Sequence, residues 1–161
     1  MQNSFELAEE KGRSILENVL KVPCVRTVDR YCPVDMLVIG SGGNISEAFE
    51  IKVRSKEFDS FLLEESKYLS VLEYCSENYI DLRYCYYTNI VESPERGEIK
   101  IFYYSWYNIK EAINRGLKRV VNSFNKTTVV GSNRTLKPVY YLPTGLADIK
   151  TYNIYNYEYI K

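Results

Sequence analysis

Between residues 34 and 54 the chain reads as one antiparallel hairpin, and no other segment limits the fold as strongly. Val34–Ile39 is an apolar run broken only by Asp35, as in a strand buried on both faces. Gly40-Ser41-Gly42-Gly43-Asn44 follows, and glycine reaches positive φ without steric cost, so this segment predicts a turn. Glu47–Arg54 then alternates with period two. Phe49, Ile51 and Val53 share one face, and Ala48, Glu50, Lys52 and Arg54 share the other. A symmetric turn pairs Ile39 with Ser46, and the same register carried along the ladder sets Asp35 opposite Glu50. Directly paired side chains have Cβ atoms about 4.5–5.5 Å apart, a gap that one divalent cation can bridge.

Around this hairpin the pattern predicts a helix over 4–20, capped by Ser4 and stopped by Pro23. Its apolar stripe is Phe5, Ala8, Gly12, Ile15, Leu16 and Val19. A short strand is expected at Cys24–Thr27 and a turn at Asp29–Pro33. A second helix is expected over 62–78, strands at Asp81–Asn89 and Glu98–Ser105, and a basic helix over Tyr107–Val121. Val139–Leu142 and Tyr152–Ile160 read as further strands. This order predicts an α/β domain, a central mixed sheet flanked by helices. One domain is expected over 1–161, with a core over about 4–105 and a basic, tyrosine-rich extension over about 106–161. Met1–Leu20 is charged throughout, and no apolar stretch approaches the ~20 residues that span a bilayer. The expectation is a soluble, cytoplasmic protein without a signal peptide or membrane partner.

The chain has no histidine. That excludes Ser-His-Asp and Cys-His nucleophiles and the helical zinc-protease motif. Chemistry at neutral pH then falls to carboxylates, Lys, Tyr, Cys or a metal. Asp35 beside Glu50 would repel unless neutralised, and Mg²⁺ prefers carboxylate and water oxygens. Lys52, on the same strand face as Glu50 and about 7 Å along it, can hold an attacking water or stabilise charge on a phosphoryl oxygen. The metal lowers the pKa of its water, which removes the need for histidine.

Asp35, the glycine turn and Phe49-Glu50-Ile51-Lys52-Val53, behind an acidic helix, resemble the PD-(D/E)XK nuclease superfamily. The first motif reads Pro33-Val34-Asp35, with one residue inserted. The resemblance covers roughly residues 4–105 in element order. It implies a restriction-endonuclease-like core, dependence on Mg²⁺ or Mn²⁺, and cleavage of DNA or, less often, RNA. It assigns the metal to Asp35, Glu50 and the Ile51 carbonyl, and the water to Lys52. The family often adds a glutamate from the first helix. Among Glu6, Glu9, Glu10 and Glu17, Glu9 lies nearest the apolar stripe, about 60° from its centre, with Glu10 second. Lys67, at the opening of the second helix, is the residue expected near the scissile phosphate. Its alternative is an exposed i,i+3 partner of Glu64. The Gln-x-x-x-Tyr pattern of one large branch is absent.

Residues 1–106 hold 18 acidic and 12 basic side chains, and residues 107–161 hold 3 and 9. This asymmetry points toward an anionic partner, with Lys110, Arg115, Lys118, Arg119, Lys126, Arg134 and Lys137 as phosphate contacts. The 16 tyrosines offer stacking surfaces for unpaired bases, but core and sheet-edge packing is the favoured expectation for them. Cys24, Cys32, Cys75 and Cys85 lack metal-site spacing and are expected to be small buried hydrophobes. The size suits a stand-alone repair, recombination or phage-type nuclease. Small resolvases of the superfamily act as dimers, so a homodimer is among the expected assemblies. Two rivals stand beside it: a catalytically inactive nucleic-acid-binding module of the same fold, and an interaction protein in which Glu50 and Lys52 form a surface ion pair.

Overall fold

The computed structural model describes residues 4–27, 31–125 and 133–160. The Asp29 end of the expected turn and Lys126 lie outside these residues, as do the side chains of Ser4 and Phe5. The elements are α1 (Ser4–Leu20), β1 (Cys24–Arg26), β2 (Met36–Ile39), β3 (Ile45–Arg54), β4 (Ser60–Glu64), α2 (Glu65–Glu77), β5 (Cys85–Ser93), β6 (Glu98–Ser105), α3 (Trp106–Asn114), β7 (Arg119–Asn125), β8 (Arg134–Pro143), β9 (Asp148–Asn153) and β10 (Tyr159–Ile160). Strands β1-β2-β3-β5-β6-β9-β10 form one sheet in that order, and β4-β8-β7 form a second. Every pairing is antiparallel except β3 with β5, whose connection passes through β4 and α2. The chain is thus α/β, with a central mixed sheet flanked by three helices. No described helix is long and apolar enough to cross a membrane.

The two faces of the large sheet carry separate apolar clusters, and β3 divides its side chains between them. Phe49 and Ile51 pack with Ile15 and Leu16 of α1 and with Ile90, Ile99 and Ile101. On the opposite face Ala48 packs with Phe61 and Leu63 of β4, Tyr68 and Val71 of α2, Trp106 of α3, and Tyr140 and Leu142 of β8. Glu50, alternating with Phe49 and Ile51, is turned toward this second, thicker layer and is 1% exposed.

The β2–β3 hairpin keeps the expected register from Met36 to Val38 and departs from it at the turn and again at Asp35, whose N–H donates to the Phe49 carbonyl instead of pairing with Glu50. Met36, Leu37 and Val38 pair with Phe49, Ala48 and Glu47, but Ile39 pairs with Ile45, so Ser46 is bulged out. The reason is the turn itself. Gly43 N–H donates to the Gly40 carbonyl (2.9 Å), Gly43 adopts φ +78, and the closing pair is Gly40 with Asn44. Such a three-residue connection carries its bulge with it.

Several expected elements are corrected. Residues 62–64 belong to β4 rather than to the second helix, because Phe61 and Leu63 reach the core only by pairing with Leu142 and Tyr140 of β8. The expected helix over Tyr107–Val121 starts at Trp106 and ends at Asn114. Gly116 at φ +102 lets Leu117 N–H reach back to the Ala112 carbonyl (2.8 Å), closing it in a Schellman arrangement. The β-branched Val120 and Val121 then continue as β7, paired with Val139 and Pro138. The strand expected at Asp81–Asn89 starts later, after a 3₁₀ turn at Leu82–Tyr84, and runs to Ser93. The last expected strand divides into β9 and β10.

Gly12 explains how closely α1 lies on β3. A Cβ at this position would stand 2.7 Å from Ile51 Cγ2 and 3.0 Å from Val53 Cγ2. Both neighbours are β-branched side chains with little rotamer freedom. Alanine is the better helix former by about 1 kcal/mol, but overpacking a core typically costs about 1–3 kcal/mol. Gly12→Ala is therefore expected to lower stability, measured as a lower urea midpoint with unchanged m-value.

Candidate functional site

β2 begins at Met36, so beyond it β3 has no strand neighbour on that edge, and the chain itself fills the gap. Asp35 N–H still donates to the Phe49 carbonyl (2.7 Å), but at the next rung the Asp35 side chain takes over: its Oδ2 accepts from Ile51 N–H (2.7 Å). A residue's N–H and C=O point to the same edge of a strand, so the Ile51 carbonyl faces the Asp35 side as well. The Asp35 backbone is pinned from two directions. Arg13 Nε and Thr27 N–H donate to its carbonyl at 3.1 and 3.2 Å.

Glu50 is the buried charge of the site. Its Oε1 lies 2.5 Å from Lys52 Nζ and 3.2 Å from Lys67 Nζ, while Oε2 has no hydrogen-bond partner. Lys67 also donates to the Pro33 carbonyl (3.3 Å), tying α2 to the segment that carries Asp35. The expected alternative partner of Lys67, Glu64, instead binds Lys137 through both oxygens at 3.1 Å. A surface ion pair between Glu50 and Lys52 is thereby excluded, since Glu50 is buried.

Electrostatics follow from this packing. Burial, and then the Glu50 carboxylate beside it, push Asp35 up to about 7, partly offset by Lys52 and the Ile51 N–H. Burial alone would lower Lys52, but the Glu50 and Asp35 carboxylates outweigh it and hold the ammonium above its ordinary value. Lys52 is therefore a fixed positive charge, a donor rather than a base.

Glu9 and Glu10 diverge. Glu9 borders the same cavity and its charge is felt at Asp35, while its carboxylate lies 3.9 Å from Arg13 Nη2. Glu10 contacts Arg26, which is also held by Glu17 at 2.9 and 2.8 Å, so Glu10 serves to tie β1 to α1. Arg13 itself stands 3.6 Å from Asp35 Oδ1. Glu9, Ile51 and Lys52 border a cavity of about 750 Å³ together with Arg54, Ser66, Lys67 and Tyr87, while Asp35 and Glu50 lie behind its wall.

The donor set suits a hard divalent cation of modest demands. Asp35 Oδ1, the unpartnered Glu50 Oε2 and the Ile51 carbonyl are all oxygens, and Mg²⁺ commonly takes one or two carboxylates and keeps several waters. Among the described residues no three acidic or thiol side chains are close enough to share one ion.

The expected basic surface is partly spent within the fold. Arg119 binds Glu65 at 2.5 and 3.0 Å, Lys137 binds Glu64, and Arg134 donates to Ser123 Oγ (3.0 Å). Lys110, Arg115 and Lys118 are exposed. Tyrosines divide between the two readings: Tyr68, Tyr87, Tyr104 and Tyr140 are core, whereas Tyr31, at the cavity, is 90% exposed. Cys75 and Cys85 are buried and Cys24 and Cys32 half-buried, all as free thiols. Arg13, Arg54 and Tyr87 were not singled out by sequence reasoning. For Arg54 the signal was present, since period two already puts it on the face of Glu50 and Lys52.

Comparisons with family models, with curated proteins and with solved structures found no match to this chain.

A carboxyl whose pKa rises on folding takes up a proton in the folded state. Its contribution is fully present below the unfolded value and is lost as pH rises through the folded one. For Asp35 that window runs from about 4 to about 7, and the loss is up to roughly 4 kcal/mol. Asp35→Asn keeps an acceptor for Ile51 N–H and removes the charge. In chelator-treated protein at pH 8 it is expected to raise the melting temperature and to flatten the pH dependence of stability across that window.

Proposed function

We propose that this chain is a metal-dependent phosphodiester hydrolase of the PD-(D/E)XK type, acting on DNA, with a restriction-endonuclease-like core. The observation that carries this reading is a buried glutamate clamped by two lysines beside a second carboxylate, at the end of a hairpin strand. The order α1, hairpin, α2 and a parallel β5 supports the same reading.

Asp35, Glu50 and the Ile51 carbonyl would hold Mg²⁺ or Mn²⁺. When bound, the ion supplies Lewis-acid polarisation of the phosphoryl group and a water acidic enough to attack at neutral pH. The chain's own groups do the rest. Asp35 is oriented by the Ile51 N–H on Oδ2, which leaves Oδ1, 3.6 Å from Arg13, as the oxygen to take up the ion. Lys52, held protonated by two carboxylates, donates toward the anionic oxygen that gains charge during attack. Lys67 shares Glu50 with Lys52 and brings a second positive charge to the phosphate from α2. Glu9 borders the cavity on the α1 side, placed to orient a water.

A second reading is a nucleic-acid-binding module without catalysis. It is favoured by one observation: Lys52 and Lys67 already neutralise Glu50 without any metal. Under it, calorimetry would detect no divalent uptake while DNA still bound in a salt-dependent manner.

The purified chain with Mg²⁺ or Mn²⁺ is expected to cut DNA. Asp35→Ala and Lys52→Ala are each expected to reduce the rate at least about 100-fold. Lys67→Ala should lose less than Lys52→Ala, because Lys52 remains to neutralise Glu50. Undiminished cleavage by the Asp35 and Lys52 variants would remove the assignment.

A further inference from the structure

The face of β3 that carries Glu50 and Lys52 ends in a third charged residue, Arg54, whose surroundings differ from those of Lys52 and Lys67 beside the same cavity. Its Nε donates to Asn89 Oδ1 (2.9 Å), and its Nη2 stands 3.4 Å from the Tyr87 hydroxyl. Both anchors are buried side chains on the neighbouring strand β5: Asn89 is 0% and Tyr87 2% exposed. Tyr87 is itself fixed, since its hydroxyl donates to the Leu62 carbonyl (2.7 Å). Among the described residues no carboxylate pairs with Arg54, whereas Lys52, Lys67, Arg119 and Lys137 each have one. The result is a guanidinium held on one edge by neutral groups, bordering the cavity, with its charge uncompensated.

Such an arrangement suits an anion, because an arginine fork matches a phosphate bidentately and is pre-organised by its anchors. Arg54 is two residues beyond Lys52 on the same strand face, about 7 Å away. That is the order of separation of successive phosphates along an extended strand. The cavity of about 750 Å³ is of a size that encloses a small-molecule ligand, which is room for a segment of single strand.

We infer that Arg54 is the phosphate clamp of this cavity. It holds the phosphate next to the scissile one in a single strand or a frayed end, with Asn89 and Tyr87 as its positioning residues. The inference rests on the nuclease reading for the word scissile, but not for the binding itself.

The test is fluorescence anisotropy of a labelled ~12-nucleotide single DNA strand, in Ca²⁺ and over a salt series, with cleavage in Mg²⁺ followed in parallel. Arg54→Gln is expected to weaken binding about tenfold and to make the slope of log affinity against log salt shallower by ~0.7. Arg54→Lys keeps the charge but not the fork. It should retain the slope and still bind several-fold more weakly. If Arg54→Gln fails to fold, the Lys variant decides, and wild-type affinity in it overturns the clamp. Unchanged affinity and slope in a folded Gln variant overturn it too, as does a wild-type chain that does not bind the strand. A blunt duplex bound as tightly as the strand, with the same dependence on Arg54, overturns the single-strand assignment. Wild-type protein that binds through Arg54 but cuts nothing removes the nuclease reading and leaves the clamp standing.

Discussion

The burial of the Glu50 carboxylate between the two sheets is the constraint around which the rest of the molecule is arranged. A carboxylate that is 1% exposed is tolerable only if positive charge meets it inside the protein. One ammonium comes from two residues along the same strand and the other from α2. Lys67 can arrive only because β4 pairs with β8 and delivers α2 over this face of the large sheet. Remove the β4-β8-β7 layer and Glu50 would face water, with no reason to gather two lysines.

The same layer accounts for the charge distribution along the chain. The acidic first part and basic last part are not two separate surfaces. Glu64 and Glu65, at the β4–α2 junction, are met by Lys137 and Arg119 from the β7–β8 hairpin. Much of what looks like an anionic front and a cationic tail is a set of contacts that fasten the second sheet to the first. The cationic groups left facing the cavity are those of β3 and α2, close to Asp35 and Glu50. Stability and chemistry pull apart here, since Asp35 and Glu50 repel each other most strongly when no cation lies between them.

Local pattern made the hairpin legible. Glycine identity and the alternation of Glu47–Arg54 sufficed to orient Glu50, Lys52 and Arg54 together, and the ladder keeps the implied register as far as Met36, while Asp35, whose N–H donates to the Phe49 carbonyl, falls one residue off it. The bulge at Ser46 was not legible, because it depends on which glycine takes positive φ rather than on how many there are. Residues 62–64 of β4 and 119–121 of β7 fall within the expected helices for a related reason. Leu62-Leu63 and Val120-Val121 are short apolar runs that either period can accommodate. Their state is decided by β8, some eighty residues from β4 in sequence and beside it in space.

By itself, then, the sequence determined that the chain has no histidine, that Glu50, Lys52 and Arg54 share one face of β3, and that Glu9 lies nearest the apolar stripe of α1. These follow from composition and from periods of 2 and 3.6, which are properties of a few consecutive residues. Only the tertiary structure decided that Lys67 pairs with Glu50 rather than with Glu64, that Asp35 replaces a missing strand at Ile51, and that Arg54 stands on Asn89 and Tyr87. Each of those joins residues from different elements. Their meeting depends on strand order and layer packing, which no local pattern encodes.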